Sequence, residues 1–283
     1  MLSIRTNSIA LVATTAFNAA SKDGEISQTR LSTGYRINSA MDDAAGLQIA
    51  TRLDMQTHGL AVAQRNMQNN ISLFQVAEGA ADGIIAVASR MKDLAIQAAD
   101  GASTGTDKAA LQEEFSQLFR QYWNLLGTRY NGEDLFIITA PNYNAKFYSP
   151  LQLQIGPSSS DTMTVNLLPQ MLDTLGALPY DTTTLQTALT QNAGQAIQAA
   201  DITIDKWSAA RSAFGAAANG LTHAFNNSVN ISTNTQNAKG RIRDTDYAVE
   251  TANAARAQML MQASGAMIKQ SNSVTSLVLS LVQ

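Results

Sequence analysis

Few residues of this chain are of types that do chemistry, and their spacing assembles none of the usual catalytic sets. Cys is absent from all 283 residues, which removes thiol nucleophiles, thiolate metal sites and disulfides together. The two histidines, His58 and His223, lie far apart in sequence with no HExxH or comparable ligand spacing. Asp42 and Asp43 are adjacent carboxylates, but neighbours on a helix point about 100° apart, which is wrong for acid–base work on one substrate. Their place suits the first turn of a helix, where the dipole favours anions. Arg241, Arg243, Asp244 and Asp246 form a charged run whose natural partners are Arg36, Asp42 and Asp43 across a junction between two parts of the fold. What these residues offer is caps and ion pairs. The chain is expected to be no enzyme and to use no cofactor and no metal.

The elements that position these residues announce themselves through composition. Apolar residues make up 45% of the chain, charged residues only 14% and aromatics 6%. Aromatics supply much of the area that a globular core buries, so a single large core is not expected. Low charge also argues against a solvated, disordered chain. A net charge of −3 leaves no electrostatic footprint for nucleic acid. Abundant alanine suits long helices packed at close range, and hence an elongated, associating protein.

Periodicity places those helices. Residues 2–31 read as helix, interrupted at Gly34. A second helix is expected from about Asp42 to Asp100, roughly 90 Å long at ~1.5 Å per residue. Its seam, Leu53, Leu60, Met67, Phe74, Ala81, Ala88 and Ala95, recurs every seven residues in the coiled-coil manner, with Ala50, Ile71 and Ile85 between. Gly79 and Gly83 within it call for close helix contact, since each costs about 1 kcal/mol against Ala. A third helix follows the turn GASTGT (101–106), carrying Leu111, Phe115, Leu118, Tyr122 and Leu125. The alternating segments LQLQI (151–155) and TMTVN (162–166), separated by GPSSSD, predict a β-hairpin. A further long helix is expected from about Thr184 to Thr233, with Leu189, Ala196, Ala200, Trp207, Ala210, Phe214 and Leu221 on its seam. The last helix has Leu260, Met267, Val274 and Leu281 at seven-residue spacing. Its final 27 residues, Ala257 to Gln283, carry one charge, Lys269, yet too many Gln, Ser and Asn for a membrane span. The N-terminus has no basic region leading a continuous apolar run, so no cleaved signal peptide is expected. The fold class is mainly α: long antiparallel helices forming a coiled-coil or helical-bundle rod, with a small β-hairpin region mid-chain.

RLSTGYRINSAMDDAAGLQIATRL (30–53), NNISLFQVAEGA (69–80), SRMKDLAIQAADG (89–101), RIRDTDYA (241–248) and the ending AQMLMQASGAMIKQSNSVTSLVLSLVQ closely resemble bacterial flagellin. The matching pieces cover about residues 1–140 and 185–283, in order. The resemblance implies an inner coiled-coil domain from 1–41 with 242–283. It implies a rod-like helical domain over 42–241, with the hairpin region at about 130–180. Only about fifty residues separate the helical halves, so no outer domains are expected.

The function implied is that of a filament subunit, exported unfolded through the flagellar channel, polymerised at the tip and acting outside the cell in motility. The alternative is a hook-associated junction protein, expected to match less well at INSAMDDAAGLQIA and RIRDTDYA. Implied partners are the chain itself, an export chaperone and the export apparatus, the filament cap, and hook-associated proteins. The vertebrate innate receptor for flagellin is a further one, while nucleic acid and membrane are not expected. Anchors for assembly and chaperone capture would be Ile4, Leu11, Leu260, Met267, Val274, Leu277 and Leu281. Arg90, Met91, Leu94, Ile96 and Gln97 match the receptor-recognised segment, and Glu114 aligns with an acidic contact on the neighbouring helix. The junction between inner and rod domains would use Arg36, Asp42, Asp43, Arg241, Arg243 and Asp244.

Overall fold

The structure is a computed structural model that describes residues 7–136, 145–175 and 187–282, with side chains to Val274. Ile4 lies outside the described residues, as do the side chains of Leu277 and Leu281 and parts of the 130–180 region. The chain divides into two units, Met1–Thr57 with Thr233–Gln283, and His58–Ser232. The helices are α1 (Ser8–Thr33), α2 (Ala44–Ala99), α3 (Gly105–Leu126), α4 (Leu168–Leu175), α5 (Ala188–Gln191), α6 (Ala193–Arg243) and α7 (Tyr247–Val282). Strands β1 (Arg129–Tyr130) and β2 (Glu133–Asp134) form one antiparallel hairpin, and β3 (Leu151–Gln154) and β4 (Thr162–Val165) form another. The protein is mainly α, as its periodicity predicts.

In the unit from His58 to Ser232, the seven-residue seam of α2 is the core. Leu60, Met67, Phe74, Ala81, Ala88 and Ala95 are all buried. The companion row is Ala63, Ala77, Ile84, Met91 and Ala98, and not Ile71 and Ile85, which stay half-buried. A helix drifts by about 20° per heptad against a strict seven-residue repeat, so neighbouring rows share the burial unevenly. By length and composition α2 contains a stretch able to cross a membrane; here a little under half of that stretch is buried inside the protein. From α6, Ala196, Trp207, Ala210, Phe214 and Leu221 join it. Lys92–Asp201 at 2.6 Å and Arg211–Asp82 at 2.5 Å are equally spaced on α2 and α6, and so fix an antiparallel register. Such exposed pairs contribute little energy, but they oppose a slip.

The scarce aromatics are concentrated rather than spread. Phe136 meets Trp207 edge-on at 5.2 Å, Phe147 lies 5.2 Å from Phe214, and Phe74 stacks on Phe147 at 6.0 Å. This cluster seats Phe136 and the short 3-10 turn Lys146–Tyr148 against the helices. Trp123, by contrast, is half exposed.

The β3–β4 hairpin forms where alternation predicts it, with Leu151 opposite Val165 and Gln154 opposite Thr162. It lies close on the helices at two glycines. A Cβ on Gly59 of α2 would come 2.6 Å from Cβ of Pro157 in the hairpin turn, and one on Gly220 of α6 would come 2.9 Å from the Met163 methyl. Of the two glycines expected to mark close helix contact, Gly83 faces Leu125, whereas Gly79 faces open space.

Two expectations need correction. The 130–180 region also contains a helix, α4, whose Met171 is buried in the core. The helix expected from about Thr184 to Thr233 breaks at Asn192 and then continues to Arg243. The buried Gln112 side chain accepts a hydrogen bond from the Leu189 backbone N–H at 2.8 Å, satisfying a first-turn donor of α5 that has no partner within its own helix.

Candidate functional site: the terminal helix pair

Within the other unit α1 and α7 lie antiparallel along one another. Asn7 caps α1 by accepting from the Ala10 N–H, and its amide donates to the Ser271 carbonyl at 3.2 Å. At the opposite end Arg30 pairs with the buried Glu250 at 3.5 Å. Between these ends the buried residues of α1 are Ala13, Ala20 and Ser27, and those of α7 are Ala257, Ser264 and Ser271. Both sets recur every seven residues, and both are small. The helices therefore approach closely and bury little apolar area for their length.

The large apolar side chains face away from this seam. Ile9, Leu11 and Val12 are each more than 60% exposed, and Phe17 is 37% exposed. On α7, Val249, Met259, Leu260, Met267 and Val274 range from 44% to 64%. Leu260, Met267 and Val274, read from the sequence as anchors for assembly and capture, thus lie off the packed seam. The row that packs lies three residues earlier, at 257, 264 and 271. Small residues win the contact because they let backbones come close, and among the described residues the larger row stays exposed.

Two loops close the helix pair. Residues Gly34–Arg36 meet Arg243–Thr245 as a short antiparallel bridge. The Arg36 N–H donates to the Arg243 carbonyl at 2.7 Å, and the Thr245 N–H donates to that of Gly34 at 3.0 Å. Gly34 ends α1 at φ +75°, where the Tyr247 hydroxyl would crowd a Cβ at 3.0 Å. The Arg36 guanidinium donates to the Ile242 carbonyl at 2.7 Å, and that of Arg243 sits 4.1 Å over the Tyr35 ring.

The ion pairs expected between Asp42 or Asp43 and the arginines do not form. Asp42 instead accepts from the Asn38 and Ser39 N–H groups and the Ser39 hydroxyl. Those donors hold its carboxyl below its ordinary value. Asp43 accepts from the Gly46 N–H at 2.8 Å and caps α2, while Asp246 accepts from Ala248 and Val249 and caps α7. Backbone donors at helix starts are fixed in place and adjacent in sequence, so they outcompete a distant guanidinium. Arg241 is exposed, and Asp244 belongs to the bridge.

The segment read as receptor-like splits by burial. Arg90 binds Glu114 through Nε at 3.0 Å and Nη2 at 2.7 Å. Ile96 and Gln97 are exposed. Met91 and Leu94, each 1% exposed, are core and present no surface. His58 and His223 both lie exposed on their helices.

A mainly helical chain whose terminal helices pair through small residues and display exposed apolar rows belongs to the class of assembling structural proteins. Of solved structures, a putative flagellar hook-associated protein from Vibrio parahaemolyticus shares the fold, with TM-score 0.57 and 14% identity over 72% of this chain and 100% of that one. Residues 4–139 match the bacterial flagellin N-terminal helical region, and residues 197–282 match the C-terminal helical region. A flagellin of Halalkalibacterium halodurans is 37% identical over 92% of both chains. That of Bacillus subtilis is 33% identical over 96% of this chain and 98% of its own. The chain belongs to the bacterial flagellin family. It is of the minimal type, a structural subunit of the extracellular flagellar filament and no enzyme.

Proposed function

We propose that α1 and α7 are the elements through which copies of this chain associate, making residues 1–41 with 242–283 an inner coiled-coil domain and residues 42–241 the rod. One observation carries this reading. The helix pair is held by Ala and Ser while Leu11, Leu260, Met267 and Val274 stay exposed. Ordering a helix costs on the order of 1–2 kcal/mol per residue in backbone entropy, and a small-residue seam offsets little of that. Covering the exposed rows with other copies supplies the missing burial, and contacts that repeat without closing give an open filament.

The same row, extended by Leu277 and Leu281, suits helix-in-groove capture by an export chaperone before assembly. Membership of the flagellin family supports the reading of export as an unfolded chain, addition at the tip and contact with cap and hook-associated proteins. For the innate receptor, the available surface is Arg90, Ile96, Gln97 and Glu114.

The test is seeded polymerisation of Leu260→Ser and Met267→Ser, followed by electron microscopy. We expect filament growth to be lost while the helical circular dichroism of the monomer is unchanged. Growth at the parental rate by both variants would refute the assembly role.

A further inference from the structure

Among the described residues the methionines span two extremes of exposure, with Met163 and Met261 half-buried between them. Met67, Met91 and Met171 are sealed in the core at 0–1% exposure, whereas Met41, Met55, Met259 and Met267 are 97%, 63%, 64% and 54% exposed. With no Cys in the chain, thioethers are the only sulfur an oxidant meets. Met259 and Met267 stand eight residues apart on α7 and so share one broad helix face with Leu260 and Val274. Met41 and Met55 lie elsewhere, on the loop leading to α2 and on α2 itself.

We propose that Met259 and Met267 form an oxidant-sensitive modification site that gates subunit addition, the oxidant class being peroxides. The thioether sulfur attacks the O–O bond of hydrogen peroxide and takes up one oxygen. Two electrons leave the sulfur, the O–O bond breaks, and the second oxygen departs as water, leaving methionine sulfoxide. The change turns a flexible apolar side chain into a polar, chiral one. On a face destined for an apolar contact, each sulfoxide dipole left unpaired weakens subunit addition roughly tenfold or more. Met41 and Met55 lie off α1 and α7, the two helices assigned to association, so the same modification there is expected to leave subunit addition unchanged. The gate acts on the unassembled subunit, because addition to the filament covers the sulfurs. It is reversible wherever sulfoxide reduction operates. This inference rests on the assembly reading of α7.

The experiment treats the unassembled protein with dilute hydrogen peroxide, maps sulfoxides by peptide mass spectrometry, and then measures seeded elongation. The exposed four should oxidise well before Met67, Met91 and Met171, and elongation should fall about tenfold or more. Met259→Leu/Met267→Leu should elongate normally before and after peroxide, while Met41→Leu/Met55→Leu stays as sensitive as the parent. Unchanged elongation by protein oxidised at 259 and 267 would overturn the gate, as would protection by the 41/55 pair. Peroxide treatment of finished filaments tests the underlying reading separately. Met267 should be spared there, and its oxidation at the monomer rate would remove the assembly role while leaving the oxidation map in place.

Discussion

At the residue scale Asp42, Asp43 and Asp246 act on the backbone donors nearest to them, while Asp82, Glu114, Asp201 and Glu250 form ion pairs. Asp42 and Asp107 both have lowered pKa values, Asp42 through the Ser39 and Asn38 donors and Asp107 through Thr104. A depressed carboxyl stabilises the fold above its unfolded value of 3.8 and loses that contribution as pH falls through the folded one. Asp107→Asn should flatten the acid limb of the stability curve below about pH 4, measured by circular dichroism during acid titration.

Tyr148 works in the other direction. Burial pushes its hydroxyl up to about 12, and that hydroxyl donates to the Met171 carbonyl at 3.3 Å. Its contribution is complete below the unfolded value of 10.0 and is lost as pH rises through the folded one. The Tyr148→Phe variant should therefore be less stable at neutral pH by about 1 kcal/mol. It should also show a shallower decline between pH 10 and 12 in urea unfolding.

Between elements, spacing decides which contacts survive. The turn of the β3–β4 hairpin touches α2 at Gly59, where an added Cβ meets the Pro157 ring and backbone, neither of which can swing away. At Gly220 the obstacle is the flexible end of Met163. Replacing either glycine with Ala gains about 1 kcal/mol of helix propensity. Gly220→Ala should thus be neutral or stabilising in urea unfolding, whereas Gly59→Ala should be net destabilising, with overpacking of about 1–3 kcal/mol. The α1–α7 seam obeys the same logic. Ala257→Leu should force the pair apart and lower the thermal midpoint of the monomer, whereas Leu260→Ser should leave it unchanged. Equal effects of the two would contradict a small-residue seam.

For the molecule as a whole, the last 27 residues carry a single charge, Lys269, although an isolated subunit gains least from an uncharged end. A chain truncated before Ala257 loses the packing row at 257, 264 and 271 together with the exposed row beside it. It should remain a soluble helical monomer and add to no filament seed, as sedimentation and electron microscopy would show. Continued growth would move the assembly surface elsewhere on the rod.

Much of this organisation is legible in the sequence. The seven-residue recurrence of Leu60, Met67, Phe74, Ala81, Ala88 and Ala95 specifies the α2 core, and strict alternation specifies the β3–β4 hairpin. Both follow from the repeat lengths of helix and strand, which any chain must obey. The sequence also determines that Cys is absent and that Ala257 to Gln283 carries one charge. Only the tertiary structure decided which of two heptad rows on α7 packs inward. Periodicity marks both rows equally, and the eye favours the larger side chains, yet close approach selects Ala257, Ser264 and Ser271. It likewise decided that Asp42 and Asp43 cap backbone instead of pairing with Arg243, and that Met91 and Leu94 are core beside the exposed Ile96. A helix face acquires its meaning from what lies against it, and that information resides in residues hundreds of positions away.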